Sequence, residues 1–148
     1  MRSMQSQATQ KKINATTSGL VFVLGLWLFL SDRLVKHLAE IGINSKGGLF
    51  YFSYYVNVDG VFSLSWPWPV LIVSAIAALG AVAGLAWRAW QRDELFKLMA
   101  AGLMFIGGYS NLLDRMWAGG VVDVWRLGSL SWNLADVYLV LGLAFMLW

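Results

Sequence analysis

The chain has 148 residues and a formal net charge of +3; 59% of it is hydrophobic and only 13% charged. Soluble domains carry roughly a quarter charged residues, so this composition, with a mean hydropathy of +0.63, excludes an ordinary soluble domain and indicates an integral membrane protein with room for one small helical bundle. The lack of cysteine and the single histidine, His37, exclude disulfides, a thiolate nucleophile and a multi-His metal site within one chain, and no basic stripe exists for a nucleic-acid backbone to follow.

Uncharged stretches of about 18 residues or more are candidate membrane spans. The first runs from Ile13 to Leu30. Lys11 and Lys12 before it resemble the opening of a secretory signal peptide, but the run ends in LSDRLVK (30–36), without a small-residue cleavage pattern. Next comes GLFYFSYYVNV (48–58), whose aromatic and β-branched residues in rough alternation suggest short strands. With Trp66 and Trp68 it also reads as an interfacial aromatic belt. Trp66 to Trp87 is the second uncharged stretch. Leu98 to Leu113 is the third, completed by the stem of a snorkelling Lys97, and Leu127 to Trp148 is the fourth, interrupted only by Asp136. The expectation is an all-α membrane protein: a single domain over 1–148, a four-transmembrane-helix bundle with helices near 14–38, 69–88, 95–117 and 132–148, and a small extracytoplasmic β-rich segment near 48–64. Basic residues collect in the N-terminal tail (Arg2, Lys11, Lys12) and between helices two and three (Arg88, Arg92, Lys97), whereas the other connections hold only Lys46 and Arg126. Both termini are therefore expected in the cytoplasm, with the two longer connections outside.

In so apolar a chain an intramembrane carboxylate marks a functional site. Asp123 in GGVVDVW (119–125) and Asp136 in WNLADVY (132–138) lie 13 positions apart on the outer side, flanking a short loop. Packing helices three and four side by side would bring them together as a pair sharing one proton. Such a pair suits peptide hydrolysis, the ionised carboxylate taking a proton from water while the protonated one polarises the carbonyl. The alternative is that each Asp caps a helix or pairs with a nearby Arg; Asp136, just before an apolar run, is placed to cap one. Asn111, Asp114 and Arg115 in GGYSNLLDR (107–115) fall at the same depth, and Arg115 is suited to a forked pair with a carboxylate or with backbone carbonyls. Asp32 and Lys36, four apart in DRLVK (32–36), read as a helical ion pair anchoring the outer end of helix one. Gly107 and Gly108 allow a close helix approach.

DRLVK, NVDGVFS (57–63), GGYSNLLDR, GGVVDVW and WNLADVY resemble, in order, the motif blocks of the signal peptidase II family, the bacterial lipoprotein signal peptidases. The resemblance spans Asp32 to Asp136 and implies an intramembrane aspartyl endopeptidase of the bacterial inner membrane, acting near its outer face. Its implied substrate is a prolipoprotein whose lipobox cysteine carries a diacylglyceryl group; membrane lipids are implied neighbours, and neither cofactor, metal nor nucleic acid is implied. Nothing demands more than a monomer. By position Asp123 and Asp136 match the family's catalytic aspartates, and Asn57, Asn111, Arg115 and Asn133 match polar residues that line and support the site. Asp32, Lys36, Gly107, Asp114 and Ala135 match other characteristic positions, and residues 48–58 match a β-rich cradle on the membrane surface.

Three departures stand out. Asp59 and Gly60 replace the usual Gly and Ala, and the Asp123–Asp136 loop is shorter than typical. Only 12 residues follow Asp136; at 1.5 Å each they give about 18 Å of helix against a hydrocarbon core of about 30 Å, so either Asp136 lies well inside the membrane or the natural helix extends beyond Trp148. Asp59 and the short loop motivate a competing reading, a divergent paralogue that keeps the pair but cuts another membrane substrate. Two others are a proton-relay or transport protein, which would place acids at mid-membrane on several helices, and a non-catalytic assembly factor whose carboxylates only pair with Arg115 and Arg126.

Overall fold

The computed structural model describes residues 13–45, 50–59, 66–128 and 130–148. Its elements run α1 (Ala15–Glu40), β1 (Phe50–Asn57), α2 (Trp68–Gln91), α3 (Leu95–Ala118), β2 (Val121–Leu127), β3 (Leu130–Trp132) and α4 (Leu134–Leu147). Residues 1–12, Lys46, and positions 48–49 and 60–64 of the expected β-rich segment, Gly60 included, fall outside the described residues.

Local chemistry sets several of the helix ends. Asn14 caps α1, its side chain accepting the Thr17 N–H at 2.8 Å, which satisfies an orphan donor of the first turn. Pro67 and Pro69 open α2, where a missing N–H costs nothing. At the end of α3 Gly119 takes a left-handed conformation (φ 75°) that only glycine adopts readily. At about 1.5 Å per residue, α1, α2 and α3 span roughly 36–39 Å, and all three are long and apolar enough to cross a membrane; α4, with 14 residues, is a shorter apolar helix.

Packing places α3 at the centre, touching α4, α2 and α1. The distribution of side chains is inverted relative to a soluble protein. Phe22, Trp27, Val73, Trp87 and Val140 are exposed, whereas Asp32, Lys36, Ser110, Asn111, Asp114, Asp123 and Asn133 are buried. Apolar outside and polar within is the arrangement of a chain solvated by lipid, where polar groups must find partners inside.

Helices α3 and α4 meet through glycine. A Cβ on Gly107 would collide with the Ala135 carbonyl oxygen and crowd the Leu139 side chain. We therefore expect Gly107→Ala to lower stability by about 1–3 kcal/mol through overpacking. Gly102→Ala, with nothing within 4 Å of its added Cβ, should be neutral or better; unfolding midpoints of the two variants in detergent provide the comparison.

The strands form one antiparallel sheet in the order β1-β2-β3. β1 comes from the α1–α2 connection, as the aromatic run suggested; β2 and β3 come from the α3–α4 connection, which the sequence reading treated as a short loop. Val121, Val122, Val124 and Trp125 favour extended backbone, and the distant β1 supplies the partner that a run this short needs. A bulge in β1 between Phe52 and Tyr55 shifts the register, so that Tyr55 faces Asp123 and Asn57 faces Val121. The sheet packs by its buried Val122 and Val124 against Ala39 near the end of α1.

Candidate active site

Asp123 lies on β2, 2% exposed, and Asp136 lies in the first turn of α4. Asn133 joins them. It leaves β3 extended (φ −137°, ψ 178°) and caps α4: its Oδ1 accepts the Asp136 N–H at 2.9 Å, while Asp136 Oδ2 accepts the Asn133 N–H at 3.2 Å. This is a reciprocal capping box, so Asp136 does take part in capping, while its other oxygen is held elsewhere. The Asn133 amide Nδ2 donates to Asp123 Oδ1 at 3.1 Å, to the Val122 carbonyl at 3.2 Å and to Asn111 Oδ1 at 3.2 Å. One asparagine thus holds both carboxylates, which are close enough to interact electrostatically.

Other residues complete the cage. Asn111, on the face of α3 toward α4, donates through Nδ2 to Asp136 Oδ1 at 2.8 Å. Asn57, at the end of β1, donates to Asp123 Oδ2 at 3.3 Å, and its own Oδ1 accepts the Asp59 N–H at 3.1 Å. The backbone at Asp59 therefore supports a residue that touches Asp123. Arg115 donates to the Asn111 carbonyl at 3.3 Å, the second of the two roles its fork allows, and its charge is felt by Asp136, Asp114 and Asp123. The Trp68 indole N–H, at the start of α2, donates to the Arg115 carbonyl at 3.3 Å.

Behind the pair lies a buried ionic network. Lys36 Nζ is 2.8 Å from Asp32 Oδ2 and 2.7 Å from Asp114 Oδ2, so the helical pair read from DRLVK extends across to α3. Arg33 spans the same two acids, at 3.0 and 2.7 Å, and the Ser110 hydroxyl donates to Asp32 Oδ2. Each acid also accepts a backbone N–H: Asp114 Oδ2 from Val122 at 3.1 Å, and Asp32 Oδ1 from Ala135 at 3.0 Å. Val122 immediately precedes Asp123, and Ala135 immediately precedes Asp136. The network therefore grips the backbone one residue before each site aspartate.

The structure gathers Asp32, Lys36, Asn57, Asn111, Asp114, Arg115, Asp123, Asn133 and Asp136 into one connected network, with Gly107 one helical turn below Asn111 at the α3–α4 contact. Sequence reasoning missed Arg33, Ser110 and Ser131. Arg33 read only as the neighbour of Asp32. A serine carries no periodic or charge signal, so Ser110, although inside GGYSNLLDR, was not singled out. A separate groove of about 570 Å³ between α1, α2 and α3, lined by Phe29, Trp87, Trp90, Phe105 and other apolar side chains, holds none of these residues.

Apolar helices thus pack beside a small sheet with two linked aspartates at the junction, one on β2 and one in the first turn of α4. A family model described as signal peptidase (SPase) II matches residues 7–148. The chain is 31% identical to a lipoprotein signal peptidase of Geobacter sulfurreducens over 93% of this chain and 90% of the relative. It is 28% identical to one of Allorhizobium ampelinum (86% and 84%) and 31% identical to one of Campylobacter jejuni (85% and 86%). Its fold resembles a bacterial membrane enzyme solved by the in meso method at 2.3 Å resolution, with TM-score 0.73, 21% identity, and coverage of 87% of this chain and 85% of that one. This chain belongs to the signal peptidase II family, and so to a family of proteases of the bacterial membrane.

Proposed function

We propose that this protein is a lipoprotein signal peptidase of the aspartic type, which removes the signal peptide from prolipoproteins whose lipobox cysteine carries a diacylglyceryl group. The observation that supports this reading most is the joint hold of Asn133 on Asp123 and Asp136, because hydrolysis by paired carboxylates requires them to face one reacting centre. The ionised member takes a proton from water. The water oxygen then attacks the carbonyl preceding the lipidated cysteine, while the protonated member donates a hydrogen bond to the carbonyl oxygen. Collapse of the tetrahedral intermediate returns a proton to the departing α-amine of the cysteine and leaves a new carboxylate on the signal peptide. Water and two carboxylates suffice for the step.

In this reading the protein is a single membrane domain acting as a monomer in the inner membrane. Helix α4 is the fourth span, and the α2–α3 turn with Arg88, Arg92 and Lys97 faces the cytoplasm with both termini. The sheet and the two aspartates then sit at the outer face, where a lipid-modified cysteine anchored in the outer leaflet arrives. The exposed Tyr51, Tyr54 and Tyr55 of β1 supply an amphipathic surface at that level.

The test is cleavage by the purified protein, in lipid, of one prolipoprotein prepared with and without the diacylglyceryl group. Cleavage immediately before the cysteine of the modified form alone is the expected result. Equal cleavage of both forms would remove the lipid requirement from the account, and no cleavage of either by a folded protein would remove the substrate.

A further inference from the structure

Ser131 has no place in the motif blocks' catalytic or supporting set, yet its hydroxyl donates to Asp123 Oδ2. The geometry follows from the local chain. Ser131 lies in the three-residue strand β3, paired with Arg126 of β2 across a turn in which Gly128 takes φ 60°. Asn133 continues the same extended segment. Residues two apart on an extended chain project to the same side, so Ser131 and Asn133 both reach Asp123. They take different oxygens: Asn133 Nδ2 donates to Oδ1 and Ser131 Oγ to Oδ2.

The grip is a pincer. With Asn133 alone the carboxylate would keep torsional freedom about its Cβ–Cγ bond, which is broad for Asp. Asn57 adds a longer contact of 3.3 Å to Oδ2 from the far strand. Asp123 thus receives hydrogen bonds on both oxygens, from Asn133 on one and from Ser131 and Asn57 on the other.

We propose that Ser131 is a positioning residue for the reaction: through Oδ2 it fixes the plane of the Asp123 carboxylate toward Asp136 and the attacking water. The proposal deepens the aspartic-protease reading and rests on it. Ser131 contributes no atom to the bond changes, and its proton stays on the hydroxyl.

The experiment compares full-length wild type, Ser131→Ala, Ser131→Thr and Asp123→Asn on a diacylglyceryl-modified prolipoprotein, measuring kcat, KM and the unfolding midpoint of each. A hydrogen bond to a charged group amounts to a factor of roughly 10–100. Ser131→Ala should therefore lose roughly that much in kcat, with KM within about twofold and the midpoint close to wild type. Ser131→Thr, which keeps the hydroxyl, should restore most of the loss. Wild-type kcat in the alanine variant overturns the proposal. So does a loss that threonine does not rescue, or an alanine variant that fails to fold, because Ser131 then serves the fold. If Asp123→Asn keeps its turnover, the aspartate reading itself has failed, and that outcome is separate from any result at Ser131.

Discussion

Asp123→Asn and Asp136→Asn should each lower the rate of signal-peptide cleavage by roughly 10²- to 10⁴-fold, the range supplied by a positioned acid or base. The fold should lose much less. Asp136 accepts the Asn111 amide with one oxygen and the Asn133 N–H with the other, so an asparagine there forfeits one hydrogen bond, about 1 kcal/mol. At position 123 both oxygens accept, and the new amide must turn its NH₂ toward a donor, a cost of the same order. The double variant should be little worse than either single one, because groups that act as one unit are not additive. Rates on a lipidated prolipoprotein, with unfolding midpoints alongside, check this. Near-wild-type turnover in either variant would move the chemistry elsewhere.

The second large effect belongs to Lys36→Met. Lys36 is 5% exposed and lies within 2.8 Å of two acids that are themselves 1% and 3% exposed. Without it, Asp32 and Asp114 keep only Arg33 as a cationic partner in this network, and Arg33 is partly exposed. Removing one partner of a buried ion pair costs about 3–5 kcal/mol because the other charge is left uncompensated. The loss should also reach the chemistry, since Asp114 holds the Val122 N–H and Asp32 the Ala135 N–H. We therefore expect a marked fall in the unfolding midpoint, together with reduced specific activity in the fraction that stays folded. Lys36→Arg, which keeps the charge but not the point geometry, should be intermediate. A methionine variant with unchanged midpoint and activity would show that Arg33 alone suffices.

Much of this was legible in the chain, and the reasons are physical. Hydrophobic runs bounded by charges mark the helices because lipid tolerates no other spanning structure for them. Asp123 and Asp136 stand out because carboxylates in an apolar chain are costly. The ion pair of Asp32 and Lys36 follows from helical spacing, but its reach to Asp114 does not, because that contact joins residues 78 positions apart. The β2–β3 hairpin was hidden because β3 is only three residues long and the longer pairing of β2 is with β1, on the far side of two helices in sequence. Missing the hairpin meant missing Ser131, whose role exists only once β3 is extended and Asn133 follows it. Asp59 was legible as a departure, but its backbone bond to Asn57 was not.

The central claim is that water, directed by Asp123 and Asp136, attacks the peptide without a covalent enzyme intermediate. The direct measurement is a single-turnover reaction of wild-type protein with lipidated prolipoprotein in ¹⁸O-water containing hydroxylamine, followed by mass spectrometry of protein and peptide. The account predicts one ¹⁸O atom in the new carboxylate of the signal peptide, no hydroxamate and no adduct on the protein. A hydroxamate product, or a protein carrying the mass of the signal peptide, would reveal an acyl-enzyme and contradict it.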